Sequence, residues 1–110
     1  MHWKVESNCI SKLYCDGRNI ILPWGIETAD SSAFFSLEDG FGYRYQQEEH
    51  TIEQSSTSHS QRCVVSMKEG KWELCTRDQI ESNTVITRHA ILTCLEDSYL
   101  MDFVMQFWFR

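Results

Sequence analysis

Three histidines of this chain could serve as ligands in a metal site. His50, His59 and His89, joined by Glu48 or Glu53, would offer the imidazole and carboxylate ligands that zinc and iron accept in proteins. No CxxC, CxH or HxH pair accompanies them, and ligands drawn from separate strands leave no spacing that a sequence can reveal. A hydrogen-bonded histidine in the core would explain His89 equally well. We therefore predict no metal site and no cofactor.

Five cysteines could supply a nucleophile. Cys15 lies beside a predicted tight turn and Cys94 near the end of a predicted strand, so either could react if His89 acted as its base. Nothing in the sequence brings these groups together. The odd number of cysteines favours reduced, buried thiols. We assign no catalytic residue and leave open whether the protein is an enzyme.

Aromatic residues give the sequence its most distinctive binding chemistry. Trp24 stands in "PWG", and Tyr43 and Tyr45 alternate on one face of "FGYRYQQEEH". Such side chains combine rigid apolar area with a polar tip, which suits both sugar stacking and protein interfaces. The alternative is a cross-strand ladder of aromatic rings in the core, with Phe34 as its third member.

The acidic balance of the chain narrows the partners that it can bind. Ten Lys and Arg stand against sixteen Asp and Glu, a net charge of −6. Phosphate neutralisation, which dominates nucleic-acid affinity, would start from repulsion. No apolar run approaches the roughly 20 residues of a membrane-spanning helix. We expect a single cytoplasmic domain over residues 1–110, with neither nucleic acid nor membrane as a partner.

Three short segments predict the β-hairpins that would position these residues. "LYCDGRNII", "SLEDGFGYRY" and "SMKEGKWEL" each carry an acidic residue followed by Gly between residues that favour strands. In the first, a two-residue turn at Asp16 and Gly17 would set Cys15 opposite Arg18. The pattern predicts an all-β protein, an antiparallel sandwich or small barrel built from consecutive hairpins.

The third hairpin bears on the cysteines. A three-residue loop would place Cys63 opposite Cys75 and invite a disulfide, but it would mix apolar and charged side chains on one face. A register shifted by one residue pairs Val65 with Leu74 and keeps the apolar side chains together. We predict that register and no Cys63–Cys75 bridge.

Two further segments differ in polarity. "QSSTSHSQ", residues 54–61, has no large apolar side chain and predicts a mobile surface loop. "NTVITRHAILTCLED" alternates from Val85 to Leu95 with apolar residues on both sides, which predicts a strand in the centre of a sheet.

The closing segment "SYLMDFVMQFWFR", residues 98–110, is unusually apolar. Helical spacing fits part of it, but apolar residues at every odd position from 99 to 109 favour a strand. We predict one long internal strand over 99–109, beside the strand from Val85 to Leu95, with its odd-numbered residues in the core. On its other face Leu100, Val104 and Trp108 interleave with polar residues, a mixture typical of a contact surface.

Two functions remain from the sequence alone. The first is a small acidic binding module that acts through protein–protein contacts at Leu100, Val104 and Trp108, with another protein or a second copy of the chain as its partner. The alternative is a small β-barrel enzyme or carrier, in which His50, His89 and the aromatic residues line a pocket for a small molecule or sugar.

Overall fold

The computed structural model describes residues 1–6, 9–22, 25–38, 42–106 and 108–110. Within that part of the chain the regular structure consists of thirteen strands and no helix. The strands are β1 (His2–Glu6), β2 (Cys9–Cys15), β3 (Arg18–Asn19), β4 (Ile21–Leu22), β5 (Ile26–Ala29), β6 (Phe34–Ser36), β7 (Gly42–Tyr43), β8 (Gln46–Gln54), β9 (Ser58–Met67), β10 (Gly70–Ile80), β11 (Ile86–Cys94), β12 (Asp102–Met105) and β13 (Trp108–Phe109). No helix in these ranges has the length and apolar character needed to cross a membrane.

The strands form antiparallel sheets in which β1–β3, β5–β7 and β8–β11 follow the hairpin order of the chain, whereas β12 and β13 pair with strands distant in sequence. One four-stranded sheet has the order β11-β10-β9-β8 and another the order β12-β5-β6-β7, with a three-stranded sheet β1-β2-β3 and a two-stranded sheet β13-β4. The predicted all-β class built from consecutive hairpins is confirmed. Over the described residues each sheet keeps two free edges, so none of them closes into a barrel.

The core lies between the two four-stranded sheets. Ile26 and Phe35 come from one sheet, and Val65, Trp72 and Leu74 come from the other; all five are at most 2% exposed and belong to one cluster. Apolar faces of two sheets bury each other in this way because neither face can be left in water. The arrangement is that of a sandwich.

The first hairpin follows its turn chemistry. Cys15 lies opposite Arg18, as predicted. Asp16 and Gly17 both have positive φ, 51° and 76°, which a two-residue type I′ turn requires and which Gly adopts without strain. These observations confirm the predicted hairpin. It could be predicted because the turn depends only on adjacent residues.

The third hairpin corrects the predicted register by two residues. Val65 pairs with Trp72 rather than with Leu74, and Leu74 pairs with Cys63. A shift of two residues keeps every side chain on its predicted face, so the apolar side chains still lie together. Cys63 and Cys75 belong to opposite faces of the sheet, and this geometry excludes a disulfide between them.

The predicted loop over residues 54–61 is wrong in extent. β8 continues to Gln54 and β9 begins at Ser58, so only residues 55–57 connect the two strands. His59 is fully buried and Gln61 is 5% exposed. Polar residues can occupy a buried strand when neighbouring strands supply polar partners, a condition that composition alone does not reveal.

The predicted strand near Val85 is confirmed as β11, but its central position is wrong. β11 is the edge strand of its sheet and pairs only with β10 among the described strands. Ile91, on its outer face, is 66% exposed. The alternating pattern therefore identified a strand without identifying its neighbours.

Candidate protein-interaction surface

The closing segment of the chain carries the largest group of exposed apolar side chains in the described structure. They are Tyr99, Met101, Phe103, Met105 and Phe109, with exposed fractions from 38% for Phe103 to 69% for Phe109. The prediction that these odd-numbered residues fill the core is wrong. The predicted long strand is instead divided into β12 and β13, which pair with β5 and β4 and not with β11.

The position of β12 explains this exposure. Phe103 pairs with Thr28, and Met105 pairs with Ile26, so each shares a sheet face with a buried residue. Because β12 is the outermost strand of its sheet, both side chains extend past the core to the surface. We call Tyr99, Met101, Phe103 and Met105 the β12 surface.

The β12 surface is held firmly to the rest of the protein. The N–H of Tyr99 donates to the carbonyl of Glu69 at 2.9 Å, and the N–H of Met101 donates to the carbonyl of Ala29 at 2.8 Å. Between them, Leu100 packs against the main core cluster. The exposed side chains therefore belong to backbone that is hydrogen-bonded to the rest of the fold, and not to a loose tail.

The chain segment that carries the β12 surface is acidic. Residues 95–109 include Glu96, Asp97 and Asp102 but no Lys, Arg or His. Glu27 on β5 pairs with Val104, on the opposite sheet face from Phe103 and Met105. A basic partner would be attracted to this part of the protein, and an acidic one repelled.

The three residues predicted as an interface do not coincide with this surface. Leu100 packs against the core, and Val104 is only partly exposed. The side chain of Trp108 lies outside the described part of the structure. The exposed apolar side chains belong to the same segment but to its other face, because the pattern alone could not show which side of β12 meets the core.

The predicted ligand-binding histidines are far apart. His50 lies on β8 and His89 on β11, the two opposite edges of one sheet, so about 14 Å of sheet separates them at ~4.8 Å per strand. Their side chains also belong to opposite faces, since His50 pairs with Cys63 and His89 with Arg77. A ring nitrogen of His50 lies 2.9 Å from the side-chain oxygen of Gln61.

The two predicted tyrosines form separate ring pairs and not one ladder in the core. Tyr43 stacks on Phe34 with ring centroids 6.2 Å apart and is 55% exposed. Tyr45 meets Phe35 edge to face at 5.0 Å and packs against the core. They do not share a face as predicted, because the positive φ of Arg44, 58°, breaks the alternation between them. Trp24 lies outside the described residues.

A buried ionic network at the polar end of the core escaped the sequence analysis. Arg88 on β11 donates to both carboxylate oxygens of Asp78 on β10, at 2.6 and 3.1 Å, and to Glu38 at 2.5 Å. Glu38 also accepts from the N–H of Ile26 at 2.7 Å. The three charged side chains are at most 6% exposed. Burial raises the pKa of Glu38, although the charge of Arg88 opposes that rise.

His59 extends this row of polar residues across the sheet. It pairs with Asp78 in the strand register, and its Nδ1 lies 4.0 Å from a carboxylate oxygen of Asp78. Arg88 pairs with Asp78 from the other side. In the ranges that the structure describes, no three His, Cys, Asp or Glu side chains converge as metal ligands would. The network joins three segments of the chain inside the sandwich, and the β12 surface is the candidate interaction site.

No family model matches this chain, and no match was found among curated proteins or solved structures.

Proposed function

We propose that this chain is a protein-binding module that contacts its partner through the β12 surface. The observation that carries the proposal is a fixed edge strand with exposed apolar side chains. Soluble proteins rarely leave such residues uncovered on a well-ordered element, and contiguous apolar patches commonly mark interaction sites. The acidic residues around them favour a partner with a basic surface.

The thiol arrangement supports a reducing, cytoplasmic compartment for this module. Cys9 and Cys63 are buried, and Cys94 is exposed as a free thiol. Burial raises the pKa of Cys9 to about 11 and that of Cys63 to about 12, which keeps both thiols protonated and unreactive. An exposed free thiol is more compatible with the reducing cytoplasm than with an oxidising compartment.

Photo-cross-linking tests the proposed contact directly. A benzoyl-phenylalanine at position 101 places the reactive group on the β12 surface, and the same residue at position 54, at the end of β8, is the control. We expect protein cross-links from position 101 alone. The cross-linked partner is then purified, and its affinity is measured by calorimetry.

Substitutions on the β12 surface test whether its side chains contribute to the affinity for the partner. Phe103→Ala and Met105→Ala should each weaken binding at least tenfold, or about 1.4 kcal/mol. Tyr43→Ala is the matched control, because it removes an exposed aromatic ring from β7, at the opposite edge of the same sheet. Equal cross-linking at both positions, or an affinity unchanged by Phe103→Ala and Met105→Ala, would contradict the proposal.

A further inference from the structure

The backbone of β12 presents hydrogen-bonding groups at a free edge. The N–H of Gln106 donates to the carbonyl of Gly25 at 3.1 Å, which continues the β12–β5 register. Bonding residues alternate along an antiparallel strand, so Val104 and Asp102 point their backbone groups toward β5. Phe103 and Met105 then point theirs away from the sheet. Among the described strands, none pairs with that side of β12.

The start of β12 is fixed in a way that preserves this edge. Met101 donates to the carbonyl of Ala29, the same residue that pairs with Asp102. Ala29 therefore holds the backbone on both sides of the first residue of the strand. The outward backbone groups of Phe103 and Met105 are therefore held in a strand geometry before any partner binds.

The two faces beside this edge differ in chemistry. One face carries the apolar side chains of Phe103 and Met105. The other face carries Asp102 and Val104, with Glu27 next to Val104 on β5. A strand added at the edge would alternate its side chains between these faces. The best complement is an extended segment in which apolar residues alternate with Lys or Arg.

The long edge strands of the other four-stranded sheet are less suited to this role. On β8, Glu48 forms an ion pair with Lys71 at 2.7 Å, and Glu49 forms an ion pair with Arg62 at 2.9 Å. Charged side chains of this kind protect an edge against added strands. On β11, the exposed Ile91 lies between His89 and Thr93 on its face of the sheet.

We infer that β12 binds its partner by strand addition, taking up an extended segment of alternating apolar and basic residues from another protein. The inference rests on the proposed function and specifies how the β12 surface would be used. Main-chain hydrogen bonds from Phe103 and Met105 would provide affinity, and the two faces would provide specificity. A second copy of the chain is a poorer occupant, because it would bring Asp102 and a net charge of −6 toward the same acidic edge.

Replacing the outward N–H of Met105 tests this mechanism. Met105→Pro and Met105→Ala both remove the side chain, but only proline removes the N–H. An outward N–H on an edge strand makes no bond within the sheet, so proline there is compatible with folding. The two variants should therefore melt within about 4 °C of each other.

The probe is a fluorescent seven-residue peptide in which Lys alternates with Val and Phe, and its control carries Glu in place of Lys. Wild-type protein should bind the basic peptide at least tenfold more tightly than the acidic one, with affinity falling as salt rises. Met105→Pro should bind the basic peptide about five to ten times more weakly than Met105→Ala, through the lost main-chain bond.

The outcomes separate the inference from the proposed function. Equal affinities for Met105→Pro and Met105→Ala, or no binding of the basic peptide by wild-type protein, would overturn strand addition while leaving the photo-cross-linking result intact. A wild-type dimer in light scattering that Met105→Pro dissociates would make the occupant a second copy and would overturn the basic segment. Absence of specific cross-links from position 101 would reject the proposed function itself.

Discussion

Two regions of this protein reverse the usual distribution of side chains. At the polar end of the core, the charges of Glu38, Asp78 and Arg88 are buried. At the edge of the other sheet, the apolar side chains of Phe103 and Met105 are exposed. The buried charges have partners inside the molecule, whereas the exposed apolar side chains lie on the outermost strand of their sheet. Position in the fold and the presence of a partner decide burial here more than residue type does.

Arg88→Met should have the largest effect on stability. It would leave Asp78 and Glu38 buried without their cation, and breaking a buried ion pair on one side costs about 3–5 kcal/mol. Urea unfolding followed by tryptophan fluorescence measures the loss. Arg62→Met is the matched control, since Arg62 forms ion pairs with Glu49 and Glu73 at the surface and should contribute less than about 1 kcal/mol. Equal losses for the two variants would contradict the assigned role of the network.

The buried and exposed thiols should differ widely in their reactivity. With the pKa of Cys63 raised to about 12 by burial, its thiolate fraction at neutral pH is about a thousandfold below that of an ordinary thiol. Cys94 is exposed and should react first with an aromatic disulfide reagent. Mass spectrometry of partly labelled protein identifies the order, and five thiols should react after denaturation. Early labelling of Cys63 would contradict its burial.

Two buried carboxylates should respond to acid in opposite directions. Burial by itself would raise the pKa of Asp30, but the N–H groups of Ser32, Glu69 and Ala33 donate to it and hold that pKa below the ordinary 3.8. The contribution of Asp30 to the free energy of unfolding is present above pH 3.8 and is lost as pH falls through the lowered pKa. The pKa of Glu38 is raised by burial. Its contribution to the free energy of unfolding is therefore present below pH 4.5 and is lost as pH rises through the raised pKa.

Asp30→Asn tests the first of these signs. The variant should cost about 1–2 kcal/mol at pH 7, and the difference from wild type should shrink between pH 4 and 2. Chemical unfolding across this pH range gives both values. Glu38→Gln provides the comparison, since its difference from wild type should change with pH in the opposite sense. A difference for Asp30→Asn that grows in acid would be incompatible with the lowered pKa.

The smallest single effect is expected at Met101, next to a residue that packs against the core. Leu100 packs against the core, so Leu100→Ala should cost about 2 kcal/mol. Met101 is 63% exposed, and Met101→Ala should cost less than about 0.5 kcal/mol. Thermal unfolding of the pair measures the contrast. The reverse order would place the odd-numbered residues in the core after all.

Local signals in the sequence predicted the first hairpin correctly. The type I′ turn at Asp16 and Gly17 depends on the conformational preferences of adjacent residues, so Cys15 and Arg18 were paired without knowledge of the rest of the chain. In the third hairpin the alternation of apolar residues determined the faces but not the register, because a shift of two residues leaves each face unchanged.

Pairing between distant strands could not be predicted in the same way. The alternation in residues 99–109 indicated a strand correctly, but the adjacent sequence position of β11 suggested the wrong neighbour, and β12 pairs with β5 instead. The network of Glu38, Asp78 and Arg88 combines residues from three separate segments, and its members look like ordinary surface charges in the sequence. The candidate site depended on these distant pairings, so only its segment could be predicted.

The pairing of β12 with β5 has a consequence for the order in which the protein assembles in the cell. β5 is synthesised early, yet it cannot gain its outer neighbour until the ribosome has translated residue 105. Until then the edge of β5 that carries the outward backbone groups of Glu27 and Ala29 stays open, while the β8–β11 hairpins can already form from contacts close in sequence. Closure of this edge is therefore a late event, and an incomplete nascent chain would expose it to chaperones or to other unfinished strands.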